Sequence, residues 1–165
     1  MREKNSAEFL ERVQAHQDII YKVGFVYGHS PADRDDLAQE ILLQLWRSFP
    51  AFDGRAAFST WMYRVALNTA ISFRRKLRPR AEVSPEAWVE GTQLANAEFS
   101  DDLKTLYRTI ARLSAIEKAI IMQWLDERSY EEIADTVGIS VNNVSVRLVR
   151  IRKRLAQLIM EAEQT

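Results

Sequence analysis

One stretch, SYEEIADTVGISVNNVSVRLVRIRKRL at residues 129–155, most constrains what this chain can fold into. It contains two short apolar patterns of helical period, joined by Gly-Ile-Ser at 138–140. Ala134 is small enough to allow a close helix crossing, Gly138 suits the turn, and Val144 can pack the second helix on the first. The stretch therefore predicts a helix-turn-helix whose second helix is capped by Ser140.

The second helix of this pair divides into a buried stripe and an outward face. At about 100° per residue, the apolar positions that fall on one side are Val144, Leu148, Ile151 and Leu155. The candidate DNA-reading residues on and beside the outward face are Asn143, Ser145, Val146, Arg147, Val149, Arg150 and Arg154. Arg150 faces outward and can contact guanine through two donors. Arg147 and Arg154, together with Arg152, are better placed for phosphates.

Charge is unevenly distributed along a chain in which 23 Lys and Arg balance 23 Asp and Glu. Residues 51–80 carry a net charge of +6 and residues 140–165 a net charge of +3, whereas residues 81–139 carry −7. Two basic segments in an otherwise acidic chain indicate two local nucleic-acid footprints. The alternative is that both segments are solvated helix faces.

Composition excludes several other classes of protein. The 165 residues contain no Cys and two well-separated histidines, His16 and His29, so we expect no disulfide, no metal site and no cofactor. The N-terminus is charged and no apolar run is long enough for a membrane span, which predicts a soluble, cytoplasmic protein without membrane insertion. Five Gly, four Pro and few alternating β-branched runs favour an all-α fold.

Helical periodicity and turn residues divide the chain into two small helical domains. In the first we expect one helix over residues 6–27, a second ending by Phe49-Pro50, and a third capped by Ser59 or Thr60. Pro79, Pro85 and Gly91 mark residues 79–100 as a flexible linker. The predicted domains are residues 1–78 and 101–165, and the second is a winged-helix-like helix-turn-helix domain.

Two further surfaces are predicted in the first domain. One helix has an inner stripe of Leu37, Ile41 and Leu45, and a second side formed by Gln39, Glu40, Leu43 and Trp46. A helix that is apolar on two sides is either central in the core or bound to a partner. The next helix carries a stripe of Trp61, Arg64, Asn68 and Arg75, a combination of aromatic, cationic and amide groups that suits single strands or duplex edges. Trp61 taken alone fits the core as well.

These segments together resemble a bacterial sigma factor of the extracytoplasmic-function (ECF) group of the sigma-70 family. The resemblance rests on DLAQEILLQLW, FDGRAAFSTWMYRVALNTAISFRRK and LSAIEKAIIMQWLDERSYEEIADTVGISVNNVSVRLVRIRKRL, which follow one another in the family's order. It implies a non-enzymatic subunit that brings core RNA polymerase to promoters, with promoter DNA as its second partner. It also implies that an anti-sigma factor binds the chain.

The resemblance assigns a role to each surface. The first domain is similar to region two, in which Gln39, Glu40, Leu43 and Trp46 match the surface that docks on the polymerase clamp. Loop 50–58 and the following helix, with Trp61, Arg64, Asn68 and Arg75, match the part that captures and melts the minus-ten element. The second domain is similar to region four, which reads the minus-thirty-five element and contacts the polymerase flap. The family often has Gly-Thr where this chain has Asn142-Asn143, so the bases that are read do not follow from the resemblance.

Two rival interpretations explain part of the sequence. A stand-alone helix-turn-helix regulator with a helical N-terminal domain accounts for residues 114–155 but gives the stripe that begins at Trp61 no purpose. An enzyme acting on nucleic acid needs metal-binding carboxylates or a nucleophile near the basic segments. Asp53 is the only acidic residue between positions 51 and 80, which disfavours the enzyme.

Overall fold

A computed structural model describes residues 2–77 and 99–164, with side chains described at 5–73 and 99–164. All regular structure in these ranges is helical, which confirms the all-α prediction. The chain divides into two compact units, Met1–Glu98 and Phe99–Thr165. Most of the predicted linker, residues 78–98, lies outside the described residues. In the described ranges, no helix combines the length and the apolar character that crossing a membrane requires.

The described part of the first unit consists of four helices and one short 3-10 turn. The elements are α1 (Arg2–Ala15), α2 (Gln17–Tyr27), α3 (Pro31–Ser48), the 3-10 turn (Phe49–Ala51) and α4 (Phe58–Leu77). Helices α2, α3 and α4 pack against one another around the predicted inner stripe of α3. Leu37, Ile41 and Leu45 in that stripe are 0% exposed, and Met62 and Ala66 of α4 are equally buried.

Two helices of the first unit differ from the predicted ones, and a serine caps a third. The single helix expected over residues 6–27 is broken at His16, whose φ of −126° and ψ of 23° are not helical. Ser30 caps the start of α3, where its side chain accepts a 3.1 Å hydrogen bond from the Asp33 amide. Helix α4 begins at Phe58, so Ser59 and Thr60 lie inside its first turn and the cap prediction there is wrong.

The described part of the second unit contains four helices that begin with serine caps. They are α5 (Asp101–Ile110), α6 (Ala115–Leu125), α7 (Tyr130–Val137) and α8 (Val141–Glu163). Ser100, Ser114, Ser129 and Ser140 each accept a hydrogen bond from the amide three residues further on. Ser114 and Glu117 form a complete capping box, since Glu117 also accepts a 3.1 Å hydrogen bond from the Ser114 amide. These caps satisfy amides that would otherwise lack partners at the helix starts.

Helices α7 and α8 form the predicted helix-turn-helix. Gly138 ends α7 with φ 79° and ψ 35°, a left-handed conformation that glycine adopts without steric cost. The Gly138 amide donates to the Ala134 carbonyl at 2.8 Å, which closes the turn. Both α7 and α8 pack on α6, and Ile120, Ile133 and Val144 at the centre are 0% exposed. The turn therefore sets the orientation of α8 relative to α7.

Candidate nucleic-acid and partner interfaces

Helix α8 presents one buried side and one solvent-facing side. The buried side consists of Val144, Leu148, Ile151, Leu155 and Leu158, of which the first four were predicted. All seven candidate DNA-reading residues are exposed, namely Asn143, Ser145, Val146, Arg147, Val149, Arg150 and Arg154. The structure thus places them together on the free surface of a single helix. A basic, exposed helix that follows a helix-turn-helix turn has the geometry that enters a major groove.

One basic residue of α8 differs from its neighbours. The guanidinium carbon of Arg152 lies 4.8 Å from the centroid of the Trp124 ring on α6. This cation–π contact holds Arg152 against the second unit's own surface. Arg152 was expected beside Arg147 and Arg154 as a phosphate contact, and the sequence contained no sign of its pairing with Trp124.

Helix α3 is apolar on two sides, as its sequence predicted. One side is the buried stripe, and the other side exposes Leu43 by 40% and Trp46 by 45%. Leu42, which the sequence interpretation did not include, is 39% exposed on the same helix. Large apolar side chains that remain in solvent on neighbouring turns mark a surface for a partner. We call Leu42, Leu43 and Trp46, with Gln39 and Glu40, the α3 face.

The polar part of the α3 face lies about two turns before Trp46. Gln39 is exposed and Glu40 is half-buried. Gln44 Nε2 donates a 2.9 Å hydrogen bond to Glu40 Oε1, so the Glu40 carboxylate is oriented by its own helix. The α3 face therefore combines an apolar centre with a positioned negative charge.

The predicted stripe on α4 is only partly exposed. Its four residues are Trp61, Arg64, Asn68 and Arg75. Asn68 is exposed, whereas Trp61 and Arg64 are half-buried. The Trp61 ring centroid lies 5.2 Å from that of Phe52 and 5.3 Å from that of Phe58. Arg75 is in the last part of α4, and its side chain lies outside the described residues.

Trp61 belongs to an aromatic cluster that connects the α3 face to loop 52–57. The cluster consists of Phe9, Trp46, Phe49, Phe52, Phe58 and Trp61. Phe9 of α1 meets the edge of Trp46 at 5.1 Å between ring centroids and lies 5.3 Å from Phe49. Phe49 in turn is 6.3 Å from Phe58. Edge-to-face pairs of this kind add to the stabilisation that apolar burial provides.

Arg12 of α1 covers the loop end of this cluster. Its guanidinium carbon lies 5.8 Å from the Phe52 centroid and 5.7 Å from the Phe58 centroid. Arg12 Nη2 also lies 2.8 Å from Glu8 Oε1. An open cavity of about 390 Å³ separates α1 from the loop, and its lining includes Glu8, Arg12, Phe52 and Asp53.

Loop 52–57 is held in shape by its own side chains. Asp53 Oδ1 accepts a 3.0 Å hydrogen bond from the Arg55 amide, and Asp53 Oδ2 lies 3.1 Å from Arg55 Nε. Gly54 adopts a positive φ of 77°, which a residue with a side chain rarely does. Residues 53–57 are exposed. The loop is thus a formed, solvent-facing element beside the basic helix α4.

Sequence reasoning missed the contribution of α1 to this site. Phe9 packs on Trp46, whereas the next residue, Leu10, is 54% exposed. Arg12 was not singled out. The regular recurrence of aromatic residues from Phe49 to Trp61 was visible, but their partners on α1 are about 40 positions away. Such distant pairings produce no local pattern.

Fold and surfaces define the class of protein: a helical, two-domain helix-turn-helix factor with an exposed apolar face in its first unit. The family model for Sigma-70 region 2 matches residues 12–89, and the model for Sigma-70, region 4 matches residues 103–155. The chain belongs to the sigma-70 family, in the group of ECF RNA polymerase sigma factors. It is a factor for promoter-specific initiation of transcription.

Individual relatives and solved structures agree with this assignment. The ECF RNA polymerase sigma-E factor of Escherichia coli (strain K12) is 32% identical over 74% of this chain and 72% of the relative. The ECF RNA polymerase sigma factor SigW of Bacillus subtilis (strain 168) is 27% identical over 89% of this chain and 86% of the relative.

Two solved structures share the fold. The sigma factor RpoE, crystallised with the anti-sigma factor NepR from Bartonella quintana, matches with a TM-score of 0.73 at 21% identity, covering 93% of this chain and 97% of that chain. CnrH, solved in complex with the cytosolic domain of CnrY, matches with a TM-score of 0.67 at 22% identity, covering 94% and 90%.

Proposed function

We propose that the two units divide promoter recognition between them. The first domain, residues 1–78, docks on core RNA polymerase and opens the minus-ten element. The second, from about residue 101, reads the minus-thirty-five element. The observation that carries the proposal is the pair of solvent-facing surfaces, an apolar one on α3 and a basic one on α8. A stand-alone regulator has no use for the first of them.

The α3 face is the proposed docking surface for the polymerase clamp. Its apolar centre, Leu43 and Trp46, is 40% and 45% exposed and gains free energy when a partner removes it from water. Gln39 and Glu40 lie at its polar edge and can select a partner of complementary charge. By the family resemblance, the surface of the second unit away from α8 meets the polymerase flap.

Helix α4 and loop 52–57 are the proposed minus-ten site. Asn68 is exposed and can bond a base edge, while Arg64 and Arg75 suit the phosphates. Trp61 is half-buried in the aromatic cluster, so only its free edge can meet a base. The other five rings of the cluster and the loop turn hold the Trp61 ring in place, which reduces the entropy lost when DNA binds.

Helix α8 is the proposed minus-thirty-five site. Arg150 projects from the exposed face and suits the two acceptors on the major-groove edge of guanine. Arg147 and Arg154 flank this face and are placed for phosphates. The polymerase carries out nucleotide addition, so the proposal gives this chain no catalytic residue and places it in the cytoplasm with the polymerase.

Run-off transcription tests the proposal directly. Purified core polymerase is combined with the full chain on a promoter library in which both elements are randomised. We expect transcripts from a defined subset of promoters only when the chain is present, together with co-migration of chain and core polymerase on a sizing column. A chain that binds DNA without joining the polymerase would instead support the stand-alone regulator.

An anti-sigma factor is the third proposed partner. The sigma factor RpoE, which shares the fold, was solved with the anti-sigma factor NepR, and CnrH, which also shares it, with the cytosolic domain of CnrY. An inhibitor that covers the α3 face would compete with core polymerase for Leu43 and Trp46. Competition between the inhibitor and core polymerase for the labelled chain would reveal it.

A further inference from the structure

Two exposed valines occupy the middle of the basic surface of α8. Val146 is 43% exposed and Val149 is 55% exposed. They lie on successive turns, within about 60° of one another around the helix. Val144, Leu148 and Ile151 face the core instead. The valine strip, Val146 and Val149, is therefore an apolar surface set among Arg147, Arg150 and Lys153.

An apolar strip among cations needs an unusual partner. The surrounding cations favour a polyanionic partner, but contact between a phosphate and a valine side chain does not stabilise a complex. The major groove of DNA resolves this conflict, because it offers phosphates at its walls and one apolar group on its floor, the C5-methyl of thymine. Cytosine carries a hydrogen at the same position, so contact with the methyl group distinguishes the two pyrimidines.

We infer that Val146 and Val149 read thymine methyl groups in the minus-thirty-five element. This inference rests on the proposed function of α8 and adds the kind of base that it selects. The rise between the two valines along α8 is about 4.5 Å, and successive bases in a strand are about 3.4 Å apart. The strip thus spans neighbouring base pairs. With Arg150 one residue further on, the selected thymines lie next to a guanine contact.

The test removes the proposed contact first from the DNA side and then from the protein side. A promoter selected by the holoenzyme is prepared as a series of DNAs. In each one, a single thymine of the minus-thirty-five element is replaced by deoxyuridine, which lacks only the C5-methyl group. For the wild-type holoenzyme we expect binding to fall about fourfold at one or two adjacent positions, the change that corresponds to about 0.8 kcal/mol for one buried carbon group. Elsewhere in the element the substitution should have no effect.

Val146→Ala is the protein side of the experiment. Alanine favours helix more than valine does, so this exposed substitution should leave the fold intact. The Val146→Ala holoenzyme should bind the thymine promoter about as weakly as the wild type binds the uridine promoter, and lose nothing further on the uridine promoter. Val149→Ala should likewise remove the response to deoxyuridine at one thymine. That thymine should lie one or two base pairs from the one that Val146→Ala makes insensitive.

Val141→Ala is the matched control. Val141 is 41% exposed on the same helix but lies about 140° around it from Val146. The Val141→Ala holoenzyme should keep the full response to deoxyuridine. If no position responds to deoxyuridine, or if Val146→Ala keeps the wild-type response, the inference is wrong while the proposed function stands. A chain that supports no transcription from any library member would overturn the proposed function as well.

Discussion

Arg150 and Arg147 are neighbours on α8 with different expected roles. Arg150 lies about 40° from Val146 around the helix, whereas Arg147 lies about 100° from Val146, at the edge of the outward face. A side chain that reads a base affects sequence preference, and one that neutralises a phosphate affects all sequences alike. The two arginines therefore allow base reading and phosphate contact to be separated on one helix.

Replacing Arg150 by Ala should cost about 1–3 kcal/mol at the selected promoter and relax the preference at one base pair. Arg147→Ala should weaken binding to all promoters about equally and lower the magnitude of the salt slope by about one unit, because one fewer phosphate is neutralised. Holoenzyme binding to promoter variants at several salt concentrations measures both effects. A uniform loss for Arg150→Ala with unchanged preference would contradict its base-reading role.

Glu127 is a position where the backbone is strained. It adopts a φ of 59° between α6 and α7, a left-handed conformation that costs a residue with a Cβ atom about 1–2 kcal/mol. Glycine adopts this conformation without that cost but has more freedom in the unfolded chain. Glu127→Gly should therefore raise the free energy of unfolding of the second unit by about 1 kcal/mol.

The same substitution in a helix provides the control for Glu127. Glu131 lies in the first turn of α7 and is exposed, so Glu131→Gly should lower the free energy of unfolding by about 1 kcal/mol. Urea denaturation of both variants, followed by circular dichroism, measures whether each substitution raises or lowers the free energy of unfolding. Destabilisation by Glu127→Gly would show that the local conformation is not a source of strain.

At the scale of the element, α3 combines a stripe buried in the core with the exposed α3 face that we propose as a docking surface. Glu40→Lys reverses the charge on the α3 face and removes the bond from Gln44, but it leaves the buried stripe of Leu37, Ile41 and Leu45 intact. We expect the variant to melt close to wild type and to bind core polymerase at least tenfold more weakly, as loss of about 1.4 kcal/mol or more would produce. Fluorescence titration of labelled chain with core polymerase measures this affinity.

Glu11→Lys carries the same charge change on α1. Glu11 is exposed and lies about 200° around α1 from Phe9, the residue that packs on Trp46. The affinity of the Glu11→Lys chain for core polymerase should therefore stay near the wild-type value. Equal affinities for the Glu40→Lys and wild-type chains would remove the α3 face from the docking surface.

Helix α4 is expected to act after docking. Asn68 is exposed and distant from the aromatic cluster along the helix, so Asn68→Ala should leave polymerase binding unchanged. Loss of one hydrogen bond to a base should reduce strand opening about fivefold, which corresponds to about 1 kcal/mol. Permanganate reactivity of thymines in the minus-ten element reports opening, and unchanged reactivity would take Asn68 out of the site.

At the scale of the whole molecule, each unit has a core of its own. Ile41 is fully buried in the first unit and Ile120 in the second. Ile41→Ala and Ile120→Ala should each destabilise their own unit by about 2–5 kcal/mol and leave the other nearly unchanged. Hydrogen exchange followed by mass spectrometry separates the two units. Loss of protection in both units from either substitution would show that they unfold together.

Separate cores are consistent with the proposal that the chain contacts DNA at two places. The two basic segments belong to different units, with residues 51–80 in the first and residues 140–165 in the second. The net charge of the whole chain is zero, so attraction to DNA has to come from these local surfaces. Neutral overall charge is therefore compatible with promoter binding.

The sequence by itself determined what depends on residues within one or two turns. Ser140 and Gly138 specify the start of α8 and the turn before it, and the period of Val144 to Leu155 specifies which side of α8 is buried. Helix caps, glycine turns and apolar periodicity act over three or four positions, so they can be recognised without knowing the fold. For the same reason, the exposed residues of α3 and α8 could be predicted.

Only the tertiary structure decided which distant residues meet. Arg34, counted in the sequence as one more charge, is 0% exposed and lies with its guanidinium carbon 4.0 Å from the Phe25 centroid. Phe9 joins Trp46, and Arg152 covers Trp124. Each of these contacts depends on how two helices cross, and the crossing is set by the packing of many side chains at once. A local sequence pattern therefore cannot predict how two helices cross or which of their side chains meet.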